Sequence, residues 1–371
     1  MIIGVPKEIK NNEYRVGLIP SSVRELVGHG HQVLVQHDAG TAIGIDDAAF
    51  EQAGAKIINS AEELFKTADM IIKVKEPQPQ ECKMLRRGQV LFTYLHLAPD
   101  PEQARLLQES GCIAIAYETV TNKHGGLPLL APMSEVAGRM SIQAGANSLE
   151  ITNGGSGILL GGVPGVAPAK VVVLGGGVAG TNAARVAIGM GARVVIIDKS
   201  LERLNKLDMQ FGSKIMTIYS TADAIERHVS TADLIIGAVL VPGASAPKLV
   251  TKAMLSKMRH GSVLVDISID QGGCFETSRP TTHQNPTYVV DGIVHYCVSN
   301  MPGAVPRTST FALNNVTLPF TLALANLGWK QAMRKDHHLL DGLNVCDGKL
   351  THKAVASALK QQYTPAEEVV A

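Results

Sequence analysis

"VVVLGGGVAGTNAARVAIGMGARVVIID", residues 171–198, is the stretch on which the fold turns. An apolar run ends at Leu174, glycines follow at Gly175, Gly177 and Gly180 in the spacing G-x-G-x-x-G, and a second β-branched run, "RVVIID", closes on Asp198. Strand, glycine turn, helix and strand make one βαβ unit. Gly175 suits the tight turn, Gly177 lets backbone approach a pyrophosphate, and Gly180 allows close helix–strand packing. The helix opening at Val178 and Ala179 would aim free N–H groups and a partial positive charge at phosphates. Asp198 stands where a carboxylate takes ribose hydroxyls and repels a 2′-phosphate, so the unit predicts a dinucleotide site that prefers NAD to NADP. Lys199 and Arg203 lie near enough to weaken that preference.

The same alternation continues on both sides. Downstream, "KIMTIY", "DLIIGAV", "SVLVDIS" and "TYVVDGIVHYCV" read as strands; upstream runs a separate series, "MIIGV", "HQVLVQ", "AKII", "DMIIKVK", "QVLFTYLH" and "CIAIAYE". Amphipathic helices such as "PEQARLLQESG", stopped at Gly111, fall between them. After Glu118 the rhythm breaks for a loop, and a helix is expected from about Ser134 to Glu150 with Ser134 as its cap. A turn-rich stretch, "VSNMPGAVPRTS", then reads as a return crossing into a long helical region from about Ser309 to Arg334. The expected architecture is α/β: two Rossmann-like doubly wound parallel-sheet domains separated by a cleft and joined by long helices. Residues 1–130 with 306–371 would form the substrate domain, and 131–305 the nucleotide domain.

Composition narrows the partners. At 371 residues the chain exceeds the size at which a single core keeps growing. Lys plus Arg number 34 against 33 Asp plus Glu, which leaves no excess charge to draw nucleic acid or an anionic membrane. The start, "MIIGVPKEIK", lacks the apolar core of a signal peptide, and the most apolar stretch, Ile158 to Leu174, is broken by glycines, Pro164, Pro168 and Lys170. Five cysteines without CxxC spacing fit a reducing cytoplasm.

Ligands of open parallel sheets bind beyond the carboxyl ends of strands. That rule selects Lys75, ending "MIIKVK", and His96, ending "VLFTYLH", with Arg15 on the segment after the first strand; Lys73 shares the face of Lys75. Taken singly, Lys75 could be a solvated strand end and His96 a hydrogen-bonded strand terminus. Together a cation pair and a histidine suggest a small anionic substrate, with Arg15 holding a carboxylate, Lys75 facing an oxygen, and the imidazole moving protons. In "SVLVDISIDQGGC" Asp266 and Asp270 lie four residues apart; Asp266, the deeper, is expected to be structural and Asp270 to reach the substrate.

"GVPKEIKNNEYRVGLIP" (4–20), "VKEP" (74–77), "YLHLA" (94–98), "LGGGVAG" (174–180) and "DISIDQGG" (266–273) together resemble the alanine dehydrogenase family, in the family's order and over essentially the whole chain. The resemblance implies reversible NAD-dependent oxidative deamination of L-alanine to pyruvate and ammonium. On matching positions Arg15 and Lys75 would bind substrate, and His96 and Asp270 would carry acid/base catalysis. Cofactor contacts would fall on Ser134, Gly175, Gly177 to Gly180, Asp198, Arg203, Ser220, Val239, Leu240, Ile267, Ser268, Ile269, Asp270, Arg279, Val298, Ser299, Asn300 and Met301. Related chains are usually homohexamers. Some members carry a Glu and a His on the long late helix where Ala323 and Leu327 stand here, and no catalytic metal is expected. The nearest rival is the NAD-binding piece of a proton-translocating transhydrogenase, and a second is a non-catalytic NAD-responsive subunit. The presence of both His96 and Asp270 favours the amino-acid dehydrogenase over the first, and the second would have no need of Arg15, Lys75, His96 and Asp270 together.

Overall fold

The computed structural model describes residues 1–239 and 246–371. They form two compact units, Met1–Met133 with Val305–Ala371, and Ser134–Ala304. In the first, β1 (Ile2–Val5), β2 (Gln32–Gln36), β3 (Lys56–Ile58), β4 (Met70–Ile72), β5 (Val90–Thr93) and β6 (Ile113–Ala116) run parallel. In the second, β7 (Lys170–Leu174), β8 (Arg193–Asp198), β9 (Ile215–Tyr219), β10 (Leu234–Gly237) and β11 (Val263–Asp266) are parallel, and β12 (Thr287–Val290) and β13 (Ile293–Tyr296) complete the sheet. The chain then adds β14 (Leu343–Cys346) and β15 (Lys349–Leu350) to the first sheet. Among the described residues the orders are β15-β14-β6-β5-β4-β1-β2-β3 and β12-β13-β11-β10-β7-β8-β9. Both reverse direction about their first strand, as doubly wound sheets do.

Burial explains the composition of the strands. Val171 and Val173 pack into one cluster with Val194, Ile196, Leu234, Ile236, Val263 and Val265. Their neighbours Val172, Leu174, Val195, Ile197, Ile235 and Leu264 pack into another. Strand side chains alternate faces, so a sheet covered on both sides needs unbroken apolar runs.

Four expectations change. The sheets are not purely parallel: β14 runs antiparallel to β6, and β12 antiparallel to β13. "TYVVDGIVHYCV" is therefore a hairpin, because Asp291 and Gly292 turn the chain at φ +50° and +76°. Asp-Gly with both residues left-handed is the two-residue turn that matches strand twist. The helix expected at Ser134 spans Ala131–Ser148. Pro132 suits the first turn of a helix, where its missing N–H is no loss, and Ser134 lies within that turn instead of capping it. The long late helix is two, Pro306–Leu327 and Trp329–Lys335, broken at Gly328, whose φ of +74° no interior helical residue adopts.

Candidate functional site

In the first unit the carboxyl ends of β4 and β5 carry a cluster of paired charges. Lys73 is buried, and its ammonium donates to Glu8 Oε2 at 3.0 Å and to Glu81 Oε1 at 2.7 Å. Burial acts to discharge the amine, but the two carboxylates outweigh it and hold Lys73 protonated above the ordinary lysine range. The other oxygen of Glu8 accepts the backbone N–H of Val74 at 2.7 Å and of Lys75 at 3.4 Å. Lys73 is thus spent on structure. Lys75, two residues on, keeps its ammonium 3.7 Å from Glu76 Oε2. Burial works to raise the Glu76 carboxyl, and Lys75 with Lys10 outweigh it and hold it below the usual range.

Arg15 is 2% exposed and forms a two-point fork on Glu13: Nε donates to Oε1 at 2.7 Å and Nη2 to Oε2 at 2.6 Å. Nη1 points at the Met133 sulfur, 3.1 Å away. Burial opposes the guanidinium charge, and Glu13 more than offsets that, so the cation persists in an apolar setting. His96 lies beyond the end of β5, with its ring stacked on Tyr94 at 5.8 Å between centroids and 7° between planes. Tyr94 is itself fixed by donating to the Leu129 carbonyl at 2.6 Å. Arg15, Lys75 and His96 thus belong to one end of one sheet, as their sequence positions predict.

In the second unit the glycine turn is geometrically committed. Gly175 has φ +96°. A Cβ on Gly180 would stand 1.8 Å from the Gly175 carbonyl oxygen, whereas one on Gly177 would meet nothing within 4 Å. Gly180 therefore closes the helix onto the strand, and the Gly177 side is open, which fits a pyrophosphate at the helix start. Asp198 accepts the N–H of Gly176 at 2.6 Å and of Ser200 at 2.8 Å, so the carboxylate also locks the turn. Arg203 reaches over the same turn, donating to the Gly176 carbonyl and to Thr181 Oγ1.

The other sequence-selected positions fall mostly at the carboxyl ends of parallel strands. Ser220 follows β9, Val239 follows β10, Ile267 to Asp270 follow β11, and Val298 to Met301 follow β13. Ser134 sits in the helix Ala131–Ser148, while Arg279 places its guanidinium over the Tyr288 ring at 4.2 Å. Leu240 lies outside the described residues.

The two carboxylates at and beyond the end of β11 separate cleanly. Asp266 is fully buried: Oδ1 accepts the Ser268 N–H at 3.0 Å, and Oδ2 accepts the Cys274 N–H at 2.9 Å and the Ser278 hydroxyl. Burial lifts its pKa above the usual range in spite of those bonds. Asp270 is exposed, and the Asn300 N–H approaches its Oδ2 at 3.4 Å. Among the described residues one trio, His37, Asp38 and Asp47, gathers groups of metal-ligand type, but His37 already pairs one ring nitrogen with each carboxylate.

Sequence reasoning passed over Glu8, Glu13, Glu81, Tyr94 and Glu118. Glu8 and Glu13 stand in "KEIKNNEYR" beside Arg15, and that density of acids near a buried arginine was the available signal.

Two family models cover the chain: "Alanine dehydrogenase/PNT, N-terminal domain" at residues 4–137 and "Alanine dehydrogenase/PNT, C-terminal domain" at 141–353. The chain belongs to the alanine dehydrogenase/PNT family. Within it, the chain is 61% identical over 370 residues to an alanine dehydrogenase of Halomonas elongata and 54% identical over 371 residues to one of Mycolicibacterium smegmatis, each match covering 100% of both chains. A solved L-alanine dehydrogenase superposes with a TM-score of 0.94 at 54% identity, over 97% of this chain and 99% of that one. The family's other branch is visible too: a transhydrogenase from Sinorhizobium meliloti superposes at 0.83 with 25% identity, over 94% of this chain and 100% of that one.

Proposed function

We propose that this chain is an NAD-dependent L-alanine dehydrogenase: L-alanine, water and NAD give pyruvate, ammonium, NADH and a proton, reversibly. What supports the reading is full-length identity of 61% to an alanine dehydrogenase, against 25% to the transhydrogenase. The first unit takes substrate and the second takes the cofactor. Arg15 holds the substrate carboxylate, and Lys75 supplies a compact charge to a substrate oxygen. The Gly175 to Gly180 turn holds the pyrophosphate, Asp198 the ribose, and Ser134, Arg203, Ser220, Val239, Leu240, Ile267 to Asp270, Arg279 and Val298 to Met301 line the rest.

NAD, when bound, supplies the acceptor for the Cα hydride. Loss of that hydride and of an ammonium proton leaves an iminium on the substrate carbon, water adds to it, and the carbinolamine collapses to pyruvate with ammonium leaving. His96 and Asp270 handle the protons of the attacking water and of the departing nitrogen. No metal takes part in this scheme. A cytoplasmic homohexamer is the proposed working form; all five cysteines are free and buried, in keeping with a reducing compartment.

NADH formation with a panel of L-amino acids, and NADH consumption with pyruvate plus ammonium, test the reaction. Alanine inert in both directions, with hydride passing instead between two nucleotides, would transfer the chain to the transhydrogenase reading. Asp270→Asn is expected to lower turnover by roughly 10²–10⁴-fold while NADH affinity measured by fluorescence stays within a few-fold. Near-normal turnover would remove Asp270 from catalysis. Light scattering checks the hexamer.

A further inference from the structure

We infer that Glu118 is the positioning residue that sets His96 in its working conformation, an inference that rests on the acid/base role given to His96 above. Glu118 follows β6, the parallel neighbour of β5, within the short helical turn Tyr117–Thr119. Its carboxylate, 14% exposed, reaches across to the other strand's end and accepts two successive backbone N–H groups: Leu95, at 3.2 Å from both Oε1 and Oε2, and His96, at 2.6 Å from Oε1. The same Oε1 lies 4.0 Å from Nδ1 of the His96 ring.

That anchorage matters because of the backbone it holds. His96 sits at φ +49°, a left-handed conformation that side chains other than glycine rarely adopt. Such residues persist only where the surroundings over-determine them, and they gather at functional sites. Here no regular strand or helix imposes the conformation, since β5 ends at Thr93. The restraints are the Glu118 carboxylate on the main chain and the Tyr94 ring under the imidazole. The ring itself is 44% exposed, so packing alone does not lock it. With the N–H groups of Leu95 and His96 gathered on one carboxylate, the turn presents the imidazole outward from the sheet's carboxyl end. Without that carboxylate both N–H groups lose their acceptor, and the backbone can relax to negative φ, which would swing the ring away. The substrate-binding charges are independent of this contact: Lys75 is tied to Glu8 through its backbone and Arg15 to Glu13.

The test compares Glu118→Ala, Glu118→Gln and His96→Ala in the full-length enzyme, reading kcat for alanine oxidation and the Kd for NADH. Glu118→Ala is expected to lower kcat by about ten- to a hundredfold with the NADH Kd within about twofold. Glu118→Gln keeps a carbonyl oxygen able to accept both N–H groups, so its kcat should stay within about fivefold of the parent. Should Glu118→Ala fail to fold, Glu118→Asp, one methylene shorter and out of reach, takes its place in the comparison. If His96→Ala is crippled while Glu118→Ala and Glu118→Asp turn over within about twofold of the parent, or if Gln is as damaging as Ala, the positioning role is overturned. If His96→Ala itself turns over normally, the acid/base reading of His96 fails, which is a separate outcome. A residual His96→Ala rate that Glu118→Ala lowers no further supports the inference, because the carboxylate then acts through the imidazole; equal losses in both backgrounds would show a merely structural role and overturn it.

Discussion

The two units arrange the polar groups at their strand ends by opposite means. The first uses side-chain charges, each buried against partners already in place: Lys73 between Glu8 and Glu81, and Arg15 on Glu13. The second uses backbone, a glycine turn and the start of the helix Val178–Gly189, with Asp198 bracing the turn from behind. A buried charge must be neutralised and hydrogen-bonded before any ligand arrives, which costs the fold several compensating residues. A cradle of N–H groups carries no net charge to bury and needs only the absence of side chains. The first kind of site should therefore fail through stability when altered, and the second through affinity.

Lys73→Met would push hardest on that contrast. It strands Glu8 and Glu81 in a buried pocket and should cost about 3–5 kcal/mol, read as a lowered denaturation midpoint of the first unit. An unchanged midpoint would mean the trio is not a structural bolt. Next comes Gly180→Ala, whose added methyl would collide with the Gly175 carbonyl. NADH affinity should fall roughly a hundredfold, about 2.7 kcal/mol, with the first unit's stability untouched. Affinity retained within twofold would show that the turn can shift without harm.

Asp266→Asn tests whether the second unit also depends on a buried charge. It puts an amide where the carboxylate accepts from Ser268, Cys274 and Ser278, and should destabilise that unit by about 1.5–3 kcal/mol. A larger loss of turnover than of stability would move Asp266 from structure to chemistry. The smallest effect belongs to Lys248, which donates from the surface to the carbonyls of Gly272 and Gly273 beside Asp270. Lys248→Met should cost under about 1 kcal/mol in thermal unfolding. A severe loss there would show that the turn after Asp270 depends on one exposed side chain.

Much of the fold could be read from local pattern. The glycine motif between "VVVL" and "RVVIID" placed a βαβ unit, and short β-branched runs located the parallel strands of both sheets. Where the pattern misled, a local signal had been outweighed by length: Asp291-Gly292 is a hairpin turn inside what looked like one strand, and Gly328 interrupts what looked like one helix. β14 and β15 escaped because "LNVC" and "KL" are too short to declare a period; β14 takes its hydrogen bonds from the edge of β6, and β15 from β14.

At the site, the residues that follow strand ends were legible, since direction along a parallel sheet decides which end is open. Their partners were not. Lys73 and Lys75 share a face and a composition, and only the folded chain gives Glu8 and Glu81 to the one and sets the other 3.7 Å from Glu76. Likewise Asp266 and Asp270 look equivalent in "VDISID", yet donors from Ser268, Cys274 and Ser278 close around the first and the second stays exposed. Sequence by itself determined the αβ alternation, the nucleotide turn and the acid that braces it, because these rest on contacts between near neighbours and on glycine's freedom. Tertiary structure decided which charges are spent inside the fold, because that depends on residues far apart in the chain meeting in a medium where an unpaired charge is too costly to keep.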